Sequence, residues 1–389
     1  MACRHWRGRR RPHNIPTAPR HVSIISVPPR WLRCAVRRSV LNPESQVLTL
    51  HVTNGDGAAG GLTRSGLPGD ILSWRDILHD GPVPCDDDLQ SFRATRAEFL
   101  ATRGWASVSE VVADLTARDT RLNDVDVSDE VVLWFEPDLF DQLQLIQVLG
   151  RIASRASGPR PRVTIAPADC FLAPLTPDKF VPLYNARRTV TASDITHGAD
   201  AWRAFTSSSP VDLAPMADRL DASIGARTYS ANTDARLPHL AAALRRQLEE
   251  FPDAQHGLSR TERQICEALY PGQLSLAKLF HTSSQASESW AFLGDWSFAW
   301  YTQRLSDFLR PLVMHTNNTR VVAPVRDADG RGFWERSVML TPFGQEVVRE
   351  RADAVEENGI DRWIGGTHLT SARHWRWDGS LHRLVERQQ

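Results

Sequence analysis

Four short apolar runs, alternating with helical stretches, leave this chain few folds to choose from. Gln46-VLTLHVT is closed by Asn54-Gly55-Asp56-Gly57, Asp70-ILSW runs into Arg75-Asp76, and Glu130-VVLWFE and Arg162-VTIAP follow. Each is β-rich, short and bounded by polar or turn residues, the signature of a buried strand. Between them AAGGLTRSGL is helix-compatible, with small residues that permit close packing. Residues 89–104 and 107–118 carry helical spacing, and Leu139 to Ile152 reads as a strongly apolar helix. Strands and helices alternating over about 120 residues predict βαβ units and a mostly parallel sheet covered on both faces. A run such as VVLWF, with no polar alternation, fits burial on both sides. The expected fold class is α/β, a Rossmann-like sheet with helices over residues 46–175.

The pattern then changes. Residues 176–235 are rich in Pro, Ser, Thr and Asp, including Ser207-Ser208-Ser209-Pro210, and read as a connecting region with short helices. From Leu237 the spacing is helical: PHLAAALRRQLEEF, then a helix begun by Ser259 with Glu262 three residues later, a capping box. SLAKLF and Asp295-WSFAWYTQRLSDFL continue the series. Arg320-VVAPV and Arg336-SVMLT flank Asp327-Ala328-Asp329-Gly330, which reads as a hairpin turn, and Thr341-PFGQEVVRERAD restarts a helix. Helices, a hairpin and a helix predict a mainly helical, winged-helix-like domain over 236–375.

Charge narrows the partners. The formal net charge is zero, yet residues 1–40 hold ten arginines and no acid, leaving 36 basic against 46 acidic residues in the remainder. An acidic body is a poor match for phosphate backbones, so nucleic acid is not an expected partner. The first 40 residues, Arg- and Pro-rich without a sustained period, are expected to be a disordered leader or the product of an upstream start codon. Five scattered cysteines without a C-x-x-C pair point to a reducing compartment. No run approaches the roughly 18 apolar residues of a membrane helix, and a cytoplasmic protein is expected.

Three constellations carry candidate chemistry. In His51-Val-Thr-Asn54-Gly55-Asp56-Gly57 a strand gives way to a helix, where exposed N–H groups attract anions. Gly55, Asp56 and Gly57 are the ligand-binding candidates there, although Asp56 could equally be the cap of a tight turn. In Trp74-Arg75-Asp76-Ile-Leu-His79-Asp80-Gly81-Pro82, Asp76, His79 and Asp80 could bind a divalent metal or act as acid and base; alternatively Asp80 caps a turn. In Trp134-Phe-Glu136-Pro137-Asp138-Leu-Phe140-Asp141-Gln142, three carboxylates fall within six positions at a strand end. Such a group is costly when desolvated, unless it meets metal, a cation or water, or has raised pKa values suited to proton transfer. Capping accounts for Asp138 and Asp141 but not for Glu136. His51, Asp76, Glu136 and Asp141 are the catalytic candidates. The spacing names no cofactor and fixes no metal-ligand set. Trp290, Trp296, Trp300 and Trp334 read as core or interface residues. The segment after Gly294, the recognition-helix candidate, offers Arg304 and Arg310 but also Asp295 and Asp307. His368 and His374 are isolated.

HVTNGDGAAGGL, WRDILHDGP and VVLWFEPDLFDQLQL, in that order, resemble the N-terminal domain of the bacterial domain-of-unknown-function 1835 family. LSRTERQICEAL, FLGDWSF and NGIDRWIGGTHL are similar to the helical domain that commonly accompanies it. The resemblance spans roughly residues 47–375 and implies that His51, Asp56, Asp76, Glu136 and Asp141 occupy motif positions, without assigning roles. Gly57 departs from the serine frequent in that motif, so no scheme here relies on a hydroxyl at that place. The expected function is binding of a small anionic ligand, phosphate-bearing among the options, at the strand ends, with metal- or carboxylate-based acid/base chemistry if the protein is an enzyme. The alternative is a ligand-sensing regulator whose C-terminal module binds DNA or a protein partner.

Overall fold

The computed structural model describes residues 48–85, 87–155, 160–225, 237–324 and 330–388. The expected leader therefore lies outside the described residues. The four apolar runs form β1 (Thr49–Thr53), β2 (Asp70–Ser73), β3 (Glu130–Trp134) and β4 (Arg162–Ile165). Helices α1 (Asp56–Ser65), α2 (Leu89–Thr102), α3 (Val108–Asn123) and α4 (Leu139–Ala153) alternate with them. The strands run parallel in the order β2-β1-β3-β4. The expected mostly parallel α/β sheet is present.

Alternation along the strands builds two apolar faces. Leu50 and Val52 of β1 and Val131 and Leu133 of β3 enter the main core beneath α4. Val132 and Trp134 point the other way, into a cluster with Ala58 and Leu62 of α1. Phe180 joins that cluster from α5 (Pro177–Asn185). A Cβ at Gly61 would stand 2.6 Å from the Phe180 ring, so the small residues of α1 do allow close helix packing.

Of residues 176–235, expected as a connecting region with short helices, those described (176–225) pack with this layered body. After α5 a two-residue strand β5 (Arg188–Thr189) adds antiparallel to β4. Helix α6 (Ala192–Thr206) packs along α4, with α7 (Leu213–Gly225) beside it. The polar residues that masked these elements are helix starts: Thr191 and Asp194 form a capping box, and Pro177 opens α5.

The second half begins with α8 (Leu240–Leu248) and α9 (Arg260–Leu269), the latter opened by the Ser259–Glu262 box. Strand β6 (Leu274–Ser275), α10 (Leu276–Phe280), α11 (Asp295–Asp307), β7 (Val313–His315), α12 (Arg331–Trp334) and β8 (Ser337–Leu340) follow, and the three strands pair antiparallel in the order β6-β8-β7. The hairpin expected between residues 320–325 and 336–341 is corrected here: β8 pairs with residues 313–315. Pro324 has no N–H to offer a ladder, and the N–H groups of Val321 and Ala323 bond to Ser306 Oγ and Gln303 Oε1 of α11 at 2.9 and 2.7 Å. Most of the expected turn lies outside the described residues. Helices α13 (Pro342–Val348) and α14 (Ala354–Asn358) precede two hairpins, β9 (Asp361–Ile364) with β10 (Thr367–Thr370) and β11 (Arg373–Asp378) with β12 (Arg383–Gln388).

One apolar core runs without a break from Leu50 to Trp377. A polar contact joins the same halves, Asp80 with Arg304 of α11; Asp80 also meets Arg103, just past α2, and within the second half Arg362 of β9 reaches Glu250 and Glu262. No helix among the described residues is long and apolar enough to cross a membrane.

Candidate functional site

The strand order reverses direction at β1, whose neighbours β2 and β3 are reached by crossovers to opposite sides. Loops that leave adjacent strands in opposite directions open a crevice at their carboxyl ends, the usual ligand position in open α/β sheets. Asn54, just past β1, and residues 136–141, just past β3, meet there. Asn54 Nδ2 donates to Asp141 Oδ1 at 2.8 Å, and the backbone N–H of Glu136 donates to Asp141 Oδ2 at 2.5 Å. Asp138 caps α4, its Oδ1 accepting from the N–H of Asp141 at 3.0 Å. From beyond β4, the N–H of Leu172 donates to Glu136 Oε1 at 2.7 Å.

Glu136, Asp138 and Asp141 each bring one oxygen within 4.8 Å of the other two, and all three residues are buried. Burial raises the pKa of Glu136 against the pull of the Leu172 N–H. Burial raises Asp138, and the charge of Glu136 adds to it. Asp141 is raised by burial, then by Asp138 and Glu136. What distinguishes the trio is charge. Ten carboxylates are buried among the described residues, and the other seven (Asp76, Asp80, Asp119, Glu130, Asp194, Glu250 and Glu262) each pair with arginine. Glu136, Asp138 and Asp141 have no cationic partner among the described residues. An oxygen-only, carboxylate-rich set of this kind suits a hard divalent cation such as Mg2+, Mn2+ or Ca2+, a ligand set that the spacing alone did not fix.

The other expected site residues lie elsewhere. His51 sits in mid-strand on the face covered by α1 and α5. Its Nδ1 accepts from Trp134 Nε1 at 3.1 Å and its Nε2 donates to the carbonyl of Pro68 at 3.1 Å, a neutral ring whose pKa burial lowers. Both nitrogens are occupied, so it has no group to offer a substrate. Asp76 is locked by Arg96, whose Nη2 donates to Oδ1 at 2.6 Å. Asp56 is the first residue of α1, not its cap; Gly55 holds that position, and Asp56 turns outward to accept from Arg75 Nε at 3.0 Å. Gly55 and Gly57 do open the helix beside the acidic trio, and a Cβ on Gly57 would meet Ala173 at 3.0 Å. His79 is buried between Phe140 and Phe292. Asn54 and the Leu172 N–H are the contributors not counted from the sequence, and Asp138, read there as one of three carboxylates and as a cap, is both. Asn54 stood in a quoted motif, whereas a backbone donor leaves no signal in side-chain pattern.

The site and fold define a five-stranded, mostly parallel α/β protein with a carboxylate-lined switch point. Neither a protein-family model nor a curated protein matches the chain, so the resemblance to the domain-of-unknown-function 1835 family stands on its motifs.

Proposed function

We propose that Glu136, Asp138 and Asp141 bind a hard divalent cation and, through it, a small anionic ligand of the phosphate-bearing class, within a Rossmann-like domain. The single observation that carries this reading is the contrast between seven arginine-paired buried carboxylates and these three. Three unpaired acids repel a bare anion, so the anion expected at the start of α1 requires the cation as a bridge. The N–H groups following Gly55 supply the second half of an anion site. In the cation-free protein the raised pKa of Glu136 suits it instead to proton transfer near neutral pH if the protein is an enzyme. Five scattered cysteines without a C-x-x-C pair support a reducing, cytoplasmic setting. The test is a thermal melt of the full chain in MnCl2, MgCl2 and CaCl2, with and without inorganic phosphate. We expect a midpoint rise of several degrees with at least one cation, as binding at about 100 times Kd adds roughly 2.7 kcal/mol. That rise should vanish in Asp141→Asn. No shift with any of the three at millimolar concentration refutes the cation site.

A second reading has an observation in its favour. The order α9-β6-α10-α11-β7-α12-β8, with strands ordered β6-β8-β7, is compatible with a winged-helix-like module and supports a ligand-sensing regulator. The recognition-helix position argues against DNA as its partner. Arg304 is turned inward, donating through Nε to Glu262 Oε1 at 3.0 Å, and Arg310 pairs with Glu357. Non-specific affinity scales with the phosphates neutralised, so we expect no appreciable binding to random-sequence duplex DNA. A salt titration on the full chain and on a chain starting at Leu41 checks this. Sub-micromolar binding at physiological salt by the shorter chain, weakening steeply with salt, would place the regulator reading first.

A further inference from the structure

Two chains of side-chain contact leave the acidic site and arrive at one short segment. The first starts at Glu136, whose Oε1 holds the N–H of Leu172. The neighbouring Phe171 ring stands edge-on to Trp290 at 5.5 Å between centroids. The second starts at Phe140, between Asp138 and Asp141 in the first turn of α4. Its ring lies 6.0 Å from that of His79, which meets Phe292 edge-on at 5.2 Å. Trp290 and Phe292 lead through Gly294 into α11.

His79 is an unusual link. It is 2% exposed, and neither ring nitrogen has a hydrogen-bond partner among the described residues. Asp80, Glu250, Arg96 and Arg246 surround it, and burial pushes it down to about 4, so the ring is neutral. Leaving a buried donor and acceptor unmade costs about 1–3 kcal/mol each. A rearrangement that gives one of its nitrogens a partner would recover part of that cost. Such a rearrangement is the kind of two-state element that transmission between sites requires.

We propose that the acidic site controls the 290–294 segment and α11: occupancy or charge at Glu136, Asp138 and Asp141 is relayed through Leu172–Phe171 to Trp290 and through Phe140–His79 to Phe292. Occupancy by a cation rests on the function proposed above; the mechanical link does not. Glu136→Ala, which removes the acceptor of the Leu172 N–H without any metal, separates the two.

The experiment is hydrogen exchange on the full chain, read at peptides covering 288–296. Glu136→Ala is expected to change exchange there by roughly five-fold or more, in the range typical of coupled sites. In a Phe171→Leu, His79→Phe background the same change should leave 288–296 untouched while still altering 168–174. MnCl2 on the wild type should move 288–296 as well. Where Glu136→Ala does not melt cooperatively, Asp138→Asn, which keeps the cap, is read by the same criteria. Effects confined to 54–58, 136–142 and 168–174 overturn the coupling. If Mn2+ changes nothing in the wild type while Glu136→Ala moves 288–296, the cation reading fails and the coupling stands.

Discussion

Arg96→Met lowers the stability of this protein by about 3–5 kcal/mol, the cost of leaving one member of a buried ion pair behind. Arg96 is fully buried on α2. Its Nη2 and Nε hold Asp76 at 2.6 and 3.1 Å, and its Nη1 donates to the carbonyls of Asp80 and Pro82 at 2.9 and 3.0 Å. Removing it strands the Asp76 carboxylate and the carbonyls of Asp80 and Pro82 together, and takes one of two donors from the carbonyl of Ile77. Urea melts measure the loss. Asp76→Leu added to Arg96→Met should recover much of it, because replacing both charges by apolar groups is often near neutral. A loss under about 1 kcal/mol would show that water reaches the pair. The prediction also separates Asp76 from the acidic site: Asp76→Asn should leave the Mn2+-induced rise in midpoint intact.

The same pair shows what a sequence can and cannot convey. The strands were legible because burial on both faces writes itself locally, as in Glu130-VVLW, and α9 was legible from Ser259 and Glu262. The acids at 136–141 stood out because three carboxylates beside an apolar strand need a reason. Their lack of an arginine among the described residues could not be read, because partners lie far apart along the chain: Asp76 meets Arg96 twenty positions away, and Glu250 meets Arg362 at a separation of 112. His51 looked reactive, yet alternation along β1 sends it to the face shared with Trp134, where an indole and a carbonyl take both its nitrogens. Residues 176–225 looked like a linker because helix caps and linkers draw on the same Pro, Ser, Thr and Asp. The β7–β8 pairing was missed because Arg320-VVAPV has strand composition but finds its donors' partners on α11.

The acidic site should also betray itself in the pH dependence of stability, and with an unusual sign. A carboxyl whose folded pKa lies above its unfolded value binds more protons folded than unfolded between the two. Its contribution is fully present below the unfolded pKa and is lost as pH rises through the folded one. Glu136, Asp138 and Asp141 are all raised, so in metal-free buffer they destabilise the protein progressively from about pH 4 upward. Glu250 has the opposite sign. Burial works against its ionisation, but Arg246 and Arg362 outweigh that and hold it at about 2, so its contribution is lost only in acid. The buried histidines His51 and His79, lowered by desolvation, favour higher pH near 6 and blur the raw trend. The difference between wild type and Asp138→Asn removes these common terms. Asn caps α4 as well as Asp does but carries no charge. Without metal the variant should match the wild type near pH 4 and exceed it at pH 8, by an amount on the order of 1–3 kcal/mol. With MnCl2 the order at pH 8 should invert, because a bound cation keeps the carboxylates ionised and its affinity rises as protons leave, and the variant has lost one ligand. Matched urea melts at the two pH values, with EDTA and with Mn2+, give all four comparisons. If Asp138→Asn is the less stable protein at pH 8 in EDTA, Asp138 already has a cationic partner in the chain, and the cation site is wrong.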